Sequence, residues 1–401
     1  MYIYKVAVIG AGAMGAGIAQ VITYSGIPVV LKDVNEEAVS RGIKTVRGIY
    51  QGRVDKGKMT ANEMDQKMAL VTGATDYSDF SDVDLVIEAV FEDIAVKQKL
   101  FCELESVCSE NTLLTSNTSS LPISAIAAPT KRPEKVIGLH FFNPAPAMKL
   151  VEIIPGMATS RETIDDLIMF AESIRKIPIR VAECAGFLVN RLLMPYLNEA
   201  AMALQEGAQA KAVDEAMVAF GMPMGPFALL DAIGVDISAK VSEILYDAYG
   251  PRMKPAEILG ALYKTGRTGI KSGAGFYEYG EGGGEIDAVQ TIIAKLGNAP
   301  RPFSSDRIVM PMINEAVIAL QEGVASANDI DIAMMAGTGF PQDKGGPLHY
   351  ADQMGVDTVL QTMQQLIAEH GERFWPAPLL KRMVNANYLG KKNGKGFFNY
   401  A

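Results

Sequence analysis

Residues 5–15 read Lys-Val-Ala-Val-Ile-Gly-Ala-Gly-Ala-Met-Gly, a short apolar run that leads into three glycines with the spacing G-x-G-x-x-G. The run predicts a buried strand, and the apolar pattern of residues 17–22 predicts a helix directly after the glycines. Residues 27–33 form a second apolar run, which ends in Asp33 about 20 residues further on. This order of elements predicts the first unit of a parallel sheet that binds a dinucleotide.

Each glycine has a physical role in that loop. Gly10 allows the tight turn, Gly12 lets a pyrophosphate approach the backbone, and Gly15 lets the helix pack closely on the strand. We expect Asp33 to bind the adenosine ribose hydroxyls and to repel a 2′-phosphate, which favours NAD over NADP, although Lys32 next to it weakens the argument. The cofactor-binding residues predicted here are Gly10, Gly12, Ala13, Met14, Gly15 and Asp33.

A helical hairpin is predicted after the second strand. Residues 35–55 have a helical pattern, Lys56-Gly57-Lys58 is a turn, and Thr60 with Glu63 fits a capping box that begins another helix. Arg53, Lys56 and Lys58 lie near the tip. Two interpretations stay open, an ordinary solvated charge cluster and a site for an anionic ligand.

The alternation of strands and helices resumes after the hairpin, with strands predicted at residues 84–90 and 112–117. Thr118-Ser119-Ser120 follows the second of these strands, on the edge of the sheet where cofactors bind. The hydroxyl groups can cap the next helix, which begins near Pro122, or bind a ligand, and both roles can be filled at once.

The chain has three histidines, and one of them, His140, ends an apolar run at residues 136–139. Glu152 lies in a second apolar run, residues 150–154. If the two runs lie side by side, the carboxylate reaches the imidazole, fixes which nitrogen carries the proton and makes a general base with its orienter. The alternative is a core histidine beside a surface glutamate.

The second half is helical and contains an internal repeat. Leu204-Gln205-Glu206-Gly207 recurs as Leu320-Gln321-Glu322-Gly323, and both copies contain an Asn-Glu-Ala segment preceded by an arginine. We therefore predict a Rossmann-type α/β domain at 1–183 and two homologous all-α domains at 184–282 and 285–401. Residues 281–284, Glu-Gly-Gly-Gly, are the predicted linker, and the two helical domains are expected to pair within the chain.

Composition excludes several classes of protein. The 401 residues carry a formal net charge of −9 without a basic cluster, which argues against a nucleic-acid partner. No apolar run is long enough to span a membrane. The three cysteines lack metal-site spacing and favour a reducing compartment, and the N-terminus leads straight into a strand without a signal peptide, so a cytoplasmic location is expected.

Together, these segments resemble the 3-hydroxyacyl-CoA dehydrogenase family over essentially the whole chain. The resemblance rests on the glycine-rich loop, Ser116-Asn117-Thr118-Ser119-Ser120, His140-Phe141-Phe142-Asn143-Pro144 with Glu152, and Gly186-Phe187-Leu188-Val189-Asn190-Arg191. With its duplicated helical domain, the chain is most similar to the dehydrogenase portion of the bacterial multifunctional fatty-acid oxidation subunit.

The resemblance implies NAD-dependent oxidation of (S)-3-hydroxyacyl-CoA to 3-oxoacyl-CoA in fatty-acid β-oxidation or a related pathway. It implies that His140 is the base with Glu152 as its partner, and that Ser119 and Asn190 contact substrate. It also implies that Glu92 and Lys97 lie near the nicotinamide and its ribose. Asn117 and Asn143 are assigned to the cofactor. Lys56 and Lys58 are assigned to the substrate on a separate ground, because an acidic chain needs a local positive site for a phosphorylated ligand. Association with other β-oxidation enzymes is a further expectation.

Two competing hypotheses come from other classes. The first is a redox-inactive binding or structural protein that kept the fold, against which the intact set of His140, Glu152, Ser119 and Asn190 argues. The second is a dehydrogenase of a hydroxy acid that is not a CoA thioester. Relatives with a lysine base would lack the His-Glu pair.

Overall fold

The computed structural model describes residues 1–280, 287–301 and 303–400. The chain divides into two compact units, Met1–Cys184 and Ala185–Ala401. The predicted linker at 281–284 lies outside the described residues, and the finer division of the second unit into 184–282 and 285–401 stays a prediction. Among the described residues, none of the helices combines the length and the apolar character needed to cross a bilayer.

The first unit is built on one eight-stranded sheet with the strand order β3-β2-β1-β4-β5-β6-β7-β8. Strands β1 to β6 are all parallel to one another, β7 is antiparallel to β6, and β8 is parallel to β7. The elements are β1 (Val6–Ile9), α1 (Ala13–Tyr24), β2 (Val29–Lys32), α2 (Glu36–Asp55), α3 (Ala61–Met68), β3 (Val71–Ala74), β4 (Leu85–Glu88), α4 (Ile94–Val107), β5 (Leu113–Ser116), α5 (Ile123–Ala127), β6 (Val136–Phe141), β7 (Leu150–Pro155), α6 (Arg161–Ser173) and β8 (Ile177–Arg180).

The central strands are apolar because helices cover both faces of a parallel sheet. Every residue of β1, β4 and β5 is buried. The chain leaves β1 for β2 on one side and returns to β4 on the other, so a crevice opens at the carboxyl ends of β1 and β4. Sequence analysis did not identify β3 and β8, which are short edge strands with partly exposed side chains.

The helical hairpin of α2 and α3 is confirmed, together with its capping box. The Thr60 side chain accepts from the backbone N–H of Glu63, and the Glu63 carboxylate accepts from the backbone N–H of Thr60. Tyr50 of α2 is fully buried, and its hydroxyl lies 2.8 Å from the Thr23 hydroxyl and donates to the Gln20 carbonyl oxygen of α1. The hairpin is therefore fixed to the helix that follows the glycine-rich loop.

The second unit is helical, as the repeat predicted. Its first long helix begins at Val189, after a turn in which Gly186 and Phe187 both have positive φ angles, of 74° and 52°. The helices are α7 (Val189–Gln205), α8 (Ala210–Phe220), α9 (Pro226–Ile233), α10 (Val235–Tyr249), α11 (Glu257–Lys264), α12 (Asp287–Leu296), α13 (Ser305–Gln321), α14 (Ala327–Thr338), α15 (Pro347–Met354), α16 (Val356–His370) and α17 (Pro378–Asn385).

Two buried ion-pair clusters join α7 and α13, the corresponding helices of the two copies. Arg191 Nε of α7 donates to Glu315 Oε1 of α13 at 2.8 Å. In the reciprocal pair, Arg307 Nε of α13 donates to Glu199 Oε1 of α7 at 2.6 Å. Each carboxylate also pairs with a second arginine of the other copy. Arg252 pairs with Glu315, and Arg373 pairs with Glu199. The interactions thus follow a local two-fold relation between the copies.

We expect Glu199→Gln to lower the free energy of unfolding of the second unit by about 3 kcal/mol or more, because it removes the close anion of both Arg307 and Arg373 and leaves the buried Arg307 guanidinium paired with Glu206. The control is Asp236→Asn, which breaks the more exposed Lys271–Asp236 pair and should cost about 1 kcal/mol or less. Urea unfolding of both variants measures the difference. Equal, small losses would show that the buried cluster contributes no more than a surface pair.

Candidate active site

The centre of the site is the pair predicted from the two apolar runs. Strands β6 and β7 place His140 directly opposite Glu152 in antiparallel register. His140 Nδ1 lies 2.7 Å from Glu152 Oε2, and both side chains are buried. A carboxylate oxygen can only accept, so Nδ1 carries a hydrogen and Nε2 of the neutral ring has the lone pair.

Ser119 lies on the other side of the imidazole, with its hydroxyl 3.1 Å from His140 Nε2. The Thr118 hydroxyl accepts from the N–H groups of Ser120 and Leu121 and closes the turn before α5. Helix α5 itself begins at Ile123, with Pro122 at its N-cap position and no side-chain cap. One hydroxyl of the loop therefore stabilises the turn and another faces the histidine, whereas the predicted helix cap is not formed and ligand binding stays a prediction.

Glu92 holds this loop. Its Oε1 accepts from the Ser119 N–H at 3.0 Å and from the Thr118 hydroxyl at 2.5 Å. Burial raises the pKa of Glu92, but the nearby Lys97 ammonium and the hydrogen bonds from the loop outweigh burial, so the pKa lies below its usual value. Glu92 is therefore ionised near neutral pH, and the structure brings it together with Lys97, Ser119 and His140.

Sequence analysis missed Glu88, the last residue of β4, as a functional candidate. Glu88 is fully buried, and its Oε1 accepts from Lys97 Nζ at 2.6 Å. An acidic residue in an otherwise apolar strand, with a lysine nine positions later on the following helix, was the available signal, because a buried carboxylate needs a partner.

The glycine-rich loop fits a dinucleotide. A side chain at Gly10 would collide with the carbonyl of Ala89, and one at Gly15 would collide with the carbonyl of Gly10. At Gly12 a Cβ would meet nothing within 4 Å, which leaves its backbone open to a ligand. Ala13 and Met14 begin α1, whose N-terminus is thereby directed towards the same place. The loop lines a cleft of about 900 Å³.

Asp33 is fixed in that cleft. Its two carboxylate oxygens accept from the backbone N–H groups of Ala11 and Val34, both at 2.7 Å. Lys32 is turned to Tyr77, with Nζ 4.5 Å from the ring centroid, although it still lines the cleft. The carboxylate is thus held where a ribose hydroxyl can donate to its remaining lone pairs.

The remaining predicted residues lie in different places. Asn117 Oδ1 accepts from the Phe141 N–H at 2.8 Å and fixes the end of β6, whereas Asn143 is exposed in the loop after it. Lys56 and Lys58 are exposed at the hairpin tip. Arg53 packs on Tyr24 instead, with its guanidinium 4.5 Å from the ring centroid. Asn190 belongs to the second unit, where it lies half-buried in the first turn of α7.

We predict that Asp33→Ser narrows the preference for NAD over NADP by about tenfold or more, the scale of one charge–charge repulsion near a protein surface. Arg41 and Lys32 line the same cleft and can then meet a 2′-phosphate. Glu103→Gln removes a negative charge elsewhere in the cleft and should leave the preference unchanged. The preference is measured as the ratio of kcat/KM for the two cofactors. Equal use of both by the unmodified protein contradicts the role assigned to Asp33.

Comparison with known proteins identifies both units. Residues 5–184 match the NAD-binding domain of 3-hydroxyacyl-CoA dehydrogenase, and residues 186–279 and 303–400 match its C-terminal domain. The chain is similar to 3-hydroxybutyryl-CoA dehydrogenase from Escherichia coli, with 33% identity and a TM-score of 0.87 over 97% of this chain and 100% of that one.

Two further similar structures cover different shares of this chain. The (S)-3-hydroxybutyryl-CoA dehydrogenase from Ralstonia eutropha is 39% identical, with a TM-score of 0.68 over 70% of this chain and 100% of that one. The dehydrogenase part of multifunctional enzyme 1 from C. elegans is 27% identical, with a TM-score of 0.68 over 95% of this chain and 90% of that one. The predicted fold class and NAD cofactor are confirmed, and the chain belongs to the 3-hydroxyacyl-CoA dehydrogenase family of NAD-dependent oxidoreductases.

Proposed function

We propose that this chain oxidises the 3-hydroxyl group of a short-chain (S)-3-hydroxyacyl-CoA, with His140 as the general base. The observation that carries the proposal is the buried arrangement in which Glu152 holds His140 Nδ1 while Nε2 is presented to Ser119. The matched dehydrogenases of E. coli and R. eutropha are named for 3-hydroxybutyryl-CoA, which supports a four-carbon acyl group. Fatty-acid β-oxidation or a related acyl-CoA pathway is the proposed setting, and the cytoplasmic location stays a prediction.

The protein's own groups act on the proton. His140 Nε2 takes the proton of the substrate's C3 hydroxyl, and Glu152 stabilises the imidazolium that forms. Ser119 and Asn190 are proposed to hold the C3 oxygen, which fixes the direction of attack. Bound NAD supplies the acceptor for the hydride that leaves C3. In the reverse direction the same histidine returns the proton.

His140→Gln should fold normally and bind NADH, but lose about a hundred- to ten-thousand-fold in turnover of (S)-3-hydroxybutyryl-CoA, the usual cost of removing a general base. The matched control is His349→Gln, because His349 Nδ1 makes a similar pair with Asp331 Oδ2, also at 2.7 Å, in the second unit. The turnover of both variants is measured by the absorbance of NADH. Near-native turnover of His140→Gln removes His140 from its role, and no turnover by the unmodified chain favours a redox-inactive protein.

We also propose that the hairpin tip binds the phosphates of CoA through Lys56 and Lys58, because a chain of net charge −9 needs a local cationic site for such a ligand. Replacing both lysines by Ala should raise KM for acyl-CoA by about tenfold, with less effect on the acyl-pantetheine substrate that lacks these phosphates. The double variant Lys44→Ala, Lys67→Ala removes two charges from the bodies of the same helices and is the control. An equal rise for both substrates contradicts this site.

A last proposal is that the second helical copy covers the face of the first copy that would otherwise bind another subunit. The reciprocal arginine–glutamate contacts of α7 and α13 support it, as does the R. eutropha relative, which covers 70% of this chain. A chain ending at Gly282 should aggregate or form a homodimer through the face that the second copy leaves bare. Sedimentation tests this, and a truncated chain that stays a soluble, active monomer contradicts the pairing.

A further inference from the structure

Among the described residues, the Glu88 carboxylate makes no direct hydrogen bond to the loop at residues 118–121, although the Ser116 hydroxyl that donates to it also accepts from the Thr118 N–H at 3.2 Å. Glu88 Oε1 accepts from Lys97 Nζ at 2.6 Å and from the Val90 N–H at 2.7 Å, while its Oε2 accepts from the Ser116 hydroxyl at 2.6 Å. The carboxylate is fully buried at the end of β4. Such a group is held rigidly, because its donors are the buried Lys97, the last residue of β5 and a backbone N–H just after β4.

Lys97 lies between two carboxylates that it contacts unequally. Its side chain is 1% exposed, with Glu88 Oε1 at 2.6 Å and Glu92 Oε2 at 3.3 Å. The other oxygen of Glu92, Oε1, is the one that accepts from the Thr118 hydroxyl and the Ser119 N–H. The Ser120 hydroxyl adds a third bond to this oxygen at 3.2 Å. The two oxygens of Glu92 therefore have separate partners: Oε2 faces the Lys97 ammonium, and Oε1 accepts the hydrogen bonds of the loop.

We propose that Glu88 is a positioning residue that sets the place of Ser119 against His140 through Lys97 and Glu92. Glu88 holds the Lys97 ammonium on its own oxygen and so leaves Glu92 Oε1 to the loop. The loop in turn keeps the Ser119 hydroxyl 3.1 Å from His140 Nε2. The inference rests on the proposed roles of His140 and Ser119 in the reaction.

The charge balance of the cluster gives the physical reason. Among the described residues, Glu88 and Glu92 are the anions that pair with the Lys97 ammonium. A buried ammonium has a large desolvation cost and needs an anion in close contact. If Glu88 becomes neutral, Glu92 is the anion left, and it must move closer to Lys97. Any such shift draws Glu92 away from the three donors of the loop, and Ser119 loses its support.

The first arm of the test is amide hydrogen exchange in Glu88→Gln, which does not depend on activity. Exchange of the residue 118–121 amides should become about tenfold faster or more, because the Ser119 N–H loses its acceptor, while exchange in α6 stays as it was. The control is Thr115→Val. It removes a buried hydroxyl of β5 that donates to the Val86 carbonyl and makes no hydrogen bond with Glu88. Thr115→Val should leave the loop protected. Unchanged loop exchange in Glu88→Gln overturns the proposal even if the chain proves inactive on acyl-CoA.

The second arm separates positioning from general damage through a double-mutant cycle on kcat for (S)-3-hydroxybutyryl-CoA. Glu88→Gln should lower kcat by about tenfold or more in the native background but by less than about twofold in Ser119→Ala, because residues that act through one another are not additive. The same factor in both backgrounds overturns the proposal. If Glu88→Gln fails to fold, Glu88→Asp keeps the charge but draws the carboxylate back from Lys97, and it should show a smaller loss that also vanishes in Ser119→Ala. An undiminished loss there contradicts the proposal equally.

Discussion

The antiparallel pairing of β6 and β7 is the constraint on which the site depends. Directly opposite residues of an antiparallel pair present their side chains on the same face, so the register alone brings Glu152 to His140. A slip of one residue would turn one of the two side chains to the other face of the sheet. The reversal of direction after β6, in a sheet that is parallel up to that strand, therefore has a chemical consequence as well as a topological one.

The parallel part of the sheet supplies the rest of the site at its carboxyl edge. The glycine-rich loop follows β1, Asp33 follows β2, Glu92 follows β4, and Ser119 follows β5. Side chains from distant parts of the chain meet there because parallel strands end on the same edge. Glu92, which lies in the loop after β4 and pairs with the buried Lys97, then holds the loop after β5 by accepting from Thr118 and Ser119. The cofactor cleft and the histidine thus share one rigid frame.

The sequence predicted those features that depend on local patterns. The glycine-rich loop, the capping box at Thr60 and the helical repeat each have a fixed spacing, and all three are present. Several features that depend on tertiary packing were missed. The structural role of Glu88 follows from its burial beside Lys97. The turn at Phe187 follows from a positive φ angle, which cannot be predicted from the residue type. Arg53 was grouped with the hairpin lysines because its packing on Tyr24 cannot be read from spacing.

The central claim is that Glu152 makes His140 a base by stabilising its charged form during hydride transfer. The most direct measurement is the single-turnover rate of NADH formation by Glu152→Gln, which keeps the shape of the contact at Nδ1 and removes its charge. The account predicts a rate at least about tenfold slower, with NADH binding unchanged, because a buried carboxylate stabilises the imidazolium directly. A single-turnover rate equal to that of the unmodified enzyme would contradict it.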